Sequence, residues 1–254
     1  MHGMLLDVRN VWWRESLLIV RDPFTLIFSL VQPLVFLALF GPLLTGVASQ
    51  TAFGGGSTLQ WFLPGVVVMI TMFGTSMTGA NLQFEIMTGS FERILATPLA
   101  RPALVIGRAL KELTPLVAQA AIITLVAVPF GFQLFPVHVV VGLLILGIFG
   151  VGVGALSYAL AIAARKTEWI FWAVQQSLLF PLLILSGMML PLETGPAWMQ
   201  ALSRLNPLTY IVDAERILFA GGVGAEVAYG FAAALATAVI GLLVGVRAIR
   251  QATL

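Results

Sequence analysis

Residues 137–164 read VHVVVGLLILGIFGVGVGALSYALAIAA, and Arg165 and Lys166 follow directly. No Asp, Glu, Lys or Arg interrupts the run, and its apolar side chains fall on every face of a helix. A helix in a soluble protein keeps a polar face, whereas one that is apolar all round is buried or lies in lipid. At about 1.5 Å per residue such a run crosses a hydrocarbon core of roughly 30 Å. The same pattern recurs at Phe24–Thr45, Trp61–Phe84, Leu113–Phe130, Trp169–Pro191 and Val227–Val246. Strands of a barrel would be shorter and would alternate. The sequence therefore predicts an all-α integral membrane protein of six transmembrane helices, taken as one transmembrane domain over 1–254. Pro33, Pro115 and Pro181 fall inside spans, where neighbouring helices can satisfy the freed carbonyls.

Composition agrees. Of 254 residues 59% are hydrophobic and only 9% charged, against roughly a quarter charged in soluble domains. Cysteine is absent, which excludes thiolate metal sites. Asp7, Arg9, Arg14 and Glu15 precede the first long run, without the pattern of a signal peptide, so that span is expected to stay in the mature protein.

Orientation follows from the cations. With the N-terminus inside, eleven of the 13 Lys and Arg fall in inner segments, and only Arg204 and Arg216 lie outside. Basic residues favour the cytoplasmic side, so both termini are expected there, in a multi-pass protein of the plasma membrane. Residues 1–22 read as an interfacial amphipathic helix, with Trp12 and Trp13 as headgroup anchors beside Arg14 and Arg21. Residues 85–112 form the longest inner connection, which Pro98 and Pro102 break into a short helix, a turn and a lead-in to the third span. Residues 192–226 are too apolar for a solvated loop, yet Asp213, Glu215 and Arg216 make a seventh span implausible. Two short outer helices that dip in and return are expected instead, forming a re-entrant hairpin. Pro196 starts the first, and Asn206-Pro207 caps the second.

Chemistry is sparse. Only His2 and His138 are present, no HExxH or GxSxG occurs, and the spans as drawn hold no carboxylate. Residues 54–58, GGGST, resemble a phosphate loop but lack its lysine and read as a flexible outer loop. Hydrolysis of ATP by this chain is not expected. No nucleic-acid partner is indicated. Thr71, Thr75 and Thr78 share one face of the second span, while Gln175 lies in the fifth. Met69, Met72 and Met188 add adaptable apolar surface. These seven residues serve equally well as helix packing or as a substrate path. Gly150-x-x-x-Gly154 and Gly241-x-x-x-Gly245 let helices approach closely, either within one subunit or at a dimer seam.

Two local patterns carry a resemblance. One is Glu85-x-x-x-Gly89-x-x-Glu92-Arg93-x-x-x-Thr97-Pro98; the other is Leu205-Asn206-Pro207-Leu208-Thr209-Tyr210 running into Asp213, Ala214 and Arg216. In this order, within this topology, the chain resembles type-2 ABC exporter permeases, particularly the daunorubicin-resistance branch. The resemblance implies two permease chains, most simply a homodimer in membrane lipid, working with two copies of a separate P-loop ATPase. ATP and Mg belong to that ATPase, and this chain binds no cofactor of its own. It also implies that Glu85, Gly89, Glu92, Arg93, Thr97 and Pro98 couple to the ATPase, with the interfacial helix beside them. The path is expected at the dimer interface, lined by the second and fifth spans. Asn206, Pro207, Tyr210 and Asp213 belong to an outer gate. The expected cargo is a drug-like compound or lipid. Export of a lipid-linked glycan shares this architecture, and a stand-alone secondary transporter is the rival from another class.

Overall fold

The computed structural model describes residues 2–21, 23–47, 58–95, 100–192 and 195–251. Among these residues the chain is helical, with no strand. In order the helices are α1 (His2–Arg21), α2 (Pro23–Val47), α3 (Thr58–Met87), α4 (Ser90–Leu95), α5 (Arg101–Lys111), α6 (Leu113–Ala127), α7 (Pro136–Ala163), α8 (Glu168–Leu185), α9 (Ala197–Ser203), α10 (Pro207–Phe219) and α11 (Ala225–Gln251). Five helical passages are long and apolar enough to cross a membrane: Thr58–Met87, Arg101–Phe130, Pro136–Ala163, Glu168–Leu185 and Ala225–Gln251. Helix α2 contributes a shorter apolar stretch, Ser29–Leu43.

Helix α3 is the axis of the bundle. In its most apolar window 83% of residues are buried, against 22% for α8, so α3 is sheathed by protein where α8 keeps an open face. Its main neighbour is α7, which also packs along α11. Glycines set these distances. A methyl at Gly79 would collide with Ser157 of α7, and one at Gly241 would collide with the Gly152 carbonyl. Gly150 takes the methyl of Thr75, and Gly245 abuts Val105 and Ala155. Both GxxxG pairs are thus used within one subunit.

The third passage differs from the expected Leu113–Phe130. Only Glu112 separates α5 from α6, so the apolar passage begins at Arg101. Helix α3 likewise continues through Glu85 to Met87. Much of the 85–112 connection is therefore packed helix, in which Glu85, Arg108, Lys111 and Glu112 are paired within the bundle while Glu92 and Arg93 stay exposed.

Two apolar clusters divide the core by depth. One joins α3, α6, α7, α8 and α10 around Phe62, Phe149 and Phe219. The other, at the α4 end, gathers Leu82, Phe91, Leu104, Tyr158 and Phe171. A polar layer ties α3 to α7 between them. Ser157 Oγ accepts from the Gly79 N–H at 3.2 Å and donates to the Ser76 carbonyl at 2.7 Å, while Gln83 Nε2 donates to the Ala161 carbonyl at 2.9 Å. Each such bond contributes about 1 kcal/mol net.

Candidate functional site

The polar heart of the molecule lies where α1, α3, α5 and α6 meet. Arg108 of α5 grips Glu85 of α3 in a two-toothed pair, Nη2 lying 2.6 Å from Oε2 and 2.8 Å from Oε1. On its other side Arg108 Nε is 3.7 Å from Glu15 of α1. Lys111 Nζ is 3.8 Å from Glu15 and 3.7 Å from Glu112. Thr78 of α3 closes the chain by donating to Glu112 Oε1 at 2.8 Å. Three acids meet two bases, and Arg108, Lys111 and Glu112 are all buried. Burying charges is costly unless each is paired; here the three buried groups pair with one another or with the half-buried Glu15 and Glu85.

This network forms one wall of a cavity of about 590 Å³. Ser29 of α2, Gln119 of α6 and the Thr71–Thr75 face of α3 form the others. That volume suits a drug-sized molecule. The wall runs from charged at Glu15, Glu85 and Lys111 to apolar at Ile70 and Leu116, so the space is amphipathic along its length.

The residues expected to line a path separate into groups. Thr71 and Thr75 border the cavity, although their hydroxyls donate back to Val67 and Thr71 carbonyls at 3.0 and 2.6 Å. Thr78 belongs to the ion network. Met69, Met72 and Met188 lie in the apolar core. Gln175 of α8 is buried, with Oε1 3.1 Å from Ser157 Oγ.

The α4 end carries the segment assigned to coupling. Gly89, at φ 68°, makes the tight turn from α3 into α4, a conformation that side chains resist. Phe91 is buried and pins α4 to the bundle, leaving Glu92 and Arg93 exposed. Glu85 faces inward to Arg108 rather than outward with them. Thr97 and Pro98 lie outside the described residues. Helix α1 packs along α5, where Gly107 admits Val11. Trp13 is exposed beside Arg14, and Trp12 lies against it with ring centroids 6.1 Å apart. Arg21 ends this helix.

At the opposite end α9 and α10 form a pair of short helices. Asn206 caps α10 by accepting from Leu208 N at 3.1 Å, and its Nδ2 donates to the Leu182 carbonyl at 2.7 Å. Pro207 takes the first helical position. Thr209 reaches the Leu185 carbonyl at 3.1 Å, so this turn is stapled to the end of α8. Tyr210 closes the pair by donating to the Arg204 carbonyl at 2.7 Å. Asp213 is 3.8 Å from Arg216, whose guanidinium lies 3.7 Å over the Trp61 ring. With 13 residues α10 is about 20 Å long, too short to cross a bilayer.

Long apolar helices, a short charged helix at one end and a stapled helical pair at the other define a multi-pass membrane protein. The chain belongs to the ABC-2 type transporter family, whose profile matches residues 7–220. It is 31% identical to the daunorubicin resistance ABC transporter permease protein DrrB1 of Streptomyces coeruleorubidus, over 84% of this chain and 74% of that one. It is 32% identical to the putative transport permease ycf38 of Cyanophora paradoxa, over 78% and 69% of the two chains. With the probable multidrug ABC transporter permease YbhR of Escherichia coli K12 it shares 27% identity over 63% and 44%. It is therefore an ABC transporter permease.

The ion network is not legible in the linear sequence, where Arg108 and Lys111 read as part of an inner connection and the spans hold no carboxylate. A signal is present in Leu104, Arg108 and Lys111, spaced i, i+4 and i+7, which puts both cations on the face that carries an apolar residue. Of the matching acids Glu112 adjoins Lys111, but Glu15 lies on α1 and Glu85 at the end of α3, so one helix alone does not reveal the pairing.

Proposed function

We propose that this chain is the membrane subunit of an ATP-driven exporter, moving a hydrophobic or amphipathic drug-like compound or lipid out of the cytoplasm or inner leaflet. In this reading a separate P-loop ATPase, present twice and carrying ATP and Mg, seats the α4 end, and a second permease chain completes the path. Six spans cross the plasma membrane, both termini are cytoplasmic, and α9–α10 form a re-entrant outer gate. One observation carries the reading: exposed Glu92 and Arg93 sit on a short helix pinned by Phe91 and joined through Gly89 to the axial helix. A push on α4 is thereby delivered to α3, and through Glu85 and Arg108 to α5 and α1. Differential contacts of this kind let nucleotide binding bias two states of the membrane domain.

Glu92→Arg is expected to cut export about tenfold while the protein still inserts, as a lost coupling of about 1–3 kcal/mol requires. ATP hydrolysis by the co-purified partner would continue without transport. Normal export by this variant would remove Glu92 from the coupling role.

Orientation is tested with single cysteines in the cysteine-free background. Gly55→Cys should react with an impermeant thiol reagent from outside intact cells, and Arg165→Cys should not. The reverse pattern would invert the topology. Export of a lipid-linked glycan is favoured less, because the side chains that make the apolar part of the described cavity wall are Ile70, Met77, Phe84 and Leu116. A stand-alone secondary transporter would need no ATPase; co-purification of a P-loop subunit separates the two.

A further inference from the structure

One buried acid plays no part in the ion network. Glu215, on α10, is 0% exposed, and neither carboxyl oxygen has a hydrogen-bond partner among the described residues. Its head lies against Gly142 of α7, where a methyl group would collide with Oε2. Gly142 therefore leaves the room that the carboxyl fills. Helix α10 is held equally close on its other side, since a methyl at Gly230 of α11 would lie 2.8 Å from the Tyr210 carbonyl.

We propose that Glu215 is a proton-binding site that latches the outer helical pair: neutral and packed on Gly142 while α10 lies against α7, and ionised once α10 lifts away. The gate function of α9–α10 rests on the reading above, while proton binding at Glu215 stands on its own geometry. An unpartnered carboxylate in an apolar site is strongly disfavoured, and the group takes up a proton instead. Burial alone pushes the Glu215 carboxyl up to about 8.

Neighbouring groups do not change this. On α10, Asp213 and Arg216 pair with each other, and Arg216 Nη2 donates to the Gly187 carbonyl at 2.6 Å. On α7, His138 lies one turn before Gly142 and packs edge-on to Phe135, and Tyr158 belongs to the cluster at the α4 end. On α11, Glu226 and Tyr229 are exposed, and Arg247 and Arg250 occupy the last turns. The charged residues of α3 and α8, Glu85 and Glu168, lie at the α4 end of those helices.

Opening breaks the O–H bond of the Glu215 carboxyl, delivers the proton to outer water and leaves a hydrated carboxylate; closing reverses each step. The sign follows from linkage. The closed pair is fully favoured below the ordinary glutamate value of about 4.3. That preference is lost as the pH rises towards the closed-state value. Between the two, the open-to-closed ratio grows about tenfold per pH unit.

The test uses the purified full chain in lipid nanodiscs. Infrared difference spectra of wild type against Glu215→Gln at pH 7 should contain the carbonyl band of a protonated carboxylic acid. Should the Gln variant fold poorly, Gly142→Ala serves in its place, since the added methyl displaces the carboxyl. In parallel, Val212→Cys places a thiol on the buried face of α10. Its labelling rate, divided by that of the same cysteine with Glu215→Gln, should climb about tenfold per unit from pH 5 to 7 and level above about pH 8. Absence of the band, or a flat ratio, overturns the proposal. Neither arm uses ATP, substrate or an ATPase, so failure here is distinct from failure of the Glu92→Arg assay.

Discussion

Glu85→Met is expected to destabilise the protein by about 3–5 kcal/mol, because it leaves a buried guanidinium without its closest partner. Among the described carboxylates Arg108 would retain Glu15, at 3.7 Å, with the Tyr158 ring 5.8 Å away, and its side chain is 5% exposed. Arg108→Met should cost less. Glu85 is 22% exposed at the rim of the cavity and can turn to water, and Lys111 still offsets Glu15. The double variant should recover more than about 1 kcal/mol of the summed losses, the signature of residues in one network. Thermal unfolding in detergent reads all three. Strict additivity would show that the pair carries no coupling, and with it the link from α3 to α5 would fall.

Gly152→Leu should prevent folding or lower stability by about 3 kcal/mol or more, since it drives a side chain into backbone rather than into a movable neighbour. A Cβ at Gly152 would stand 2.5 Å from the Thr237 carbonyl oxygen and 2.7 Å from Ala238 N of α11. Gly74→Ala is the control. Nothing lies within 4 Å of its added methyl, and alanine in a helix is favoured over glycine by about 1 kcal/mol. Equal behaviour of the two variants, read as the fraction of monodisperse protein after solubilisation, would contradict the close α7–α11 contact.

The difference between these glycines marks how far the sequence can be read. Residues 137–164 announce a membrane helix without help, because a charge-free run this long, apolar on every face, has no stable place in water. Asn206-Pro207 likewise places the start of α10, since capping depends on neighbours in the chain. Spacing draws attention to Gly150, Gly154, Gly241 and Gly245, yet Gly152, between the first pair, meets the α11 backbone at Thr237 and Ala238. Which glycine meets which carbonyl depends on the crossing of two helices that lie far apart in sequence. The same holds for Glu15, Glu85 and Glu112. Glu15 reads as a charge of the interfacial segment and the other two as charges flanking spans, and only the assembled bundle turns them inward onto Arg108 and Lys111. Glu215 reads as one of three charges that interrupt an apolar segment, but its isolation from Asp213 and Arg216 is a matter of helix face. Local rules locate the elements. The ion pairs require knowing what each face meets.

The length of α3 has a mechanical consequence. Its 30 residues extend about 45 Å, beyond a hydrocarbon layer of roughly 30 Å. With protein sheathing most of it, the excess cannot easily be relieved by independent tilting. In the coupling reading proposed above, a thinner bilayer would leave more of its α4 end clear and lengthen the lever arm on which a partner ATPase pushes; thickening would shorten the throw. Lipid acyl length would then tune this transporter through the amplitude of the stroke, with no lipid bound at any specific place.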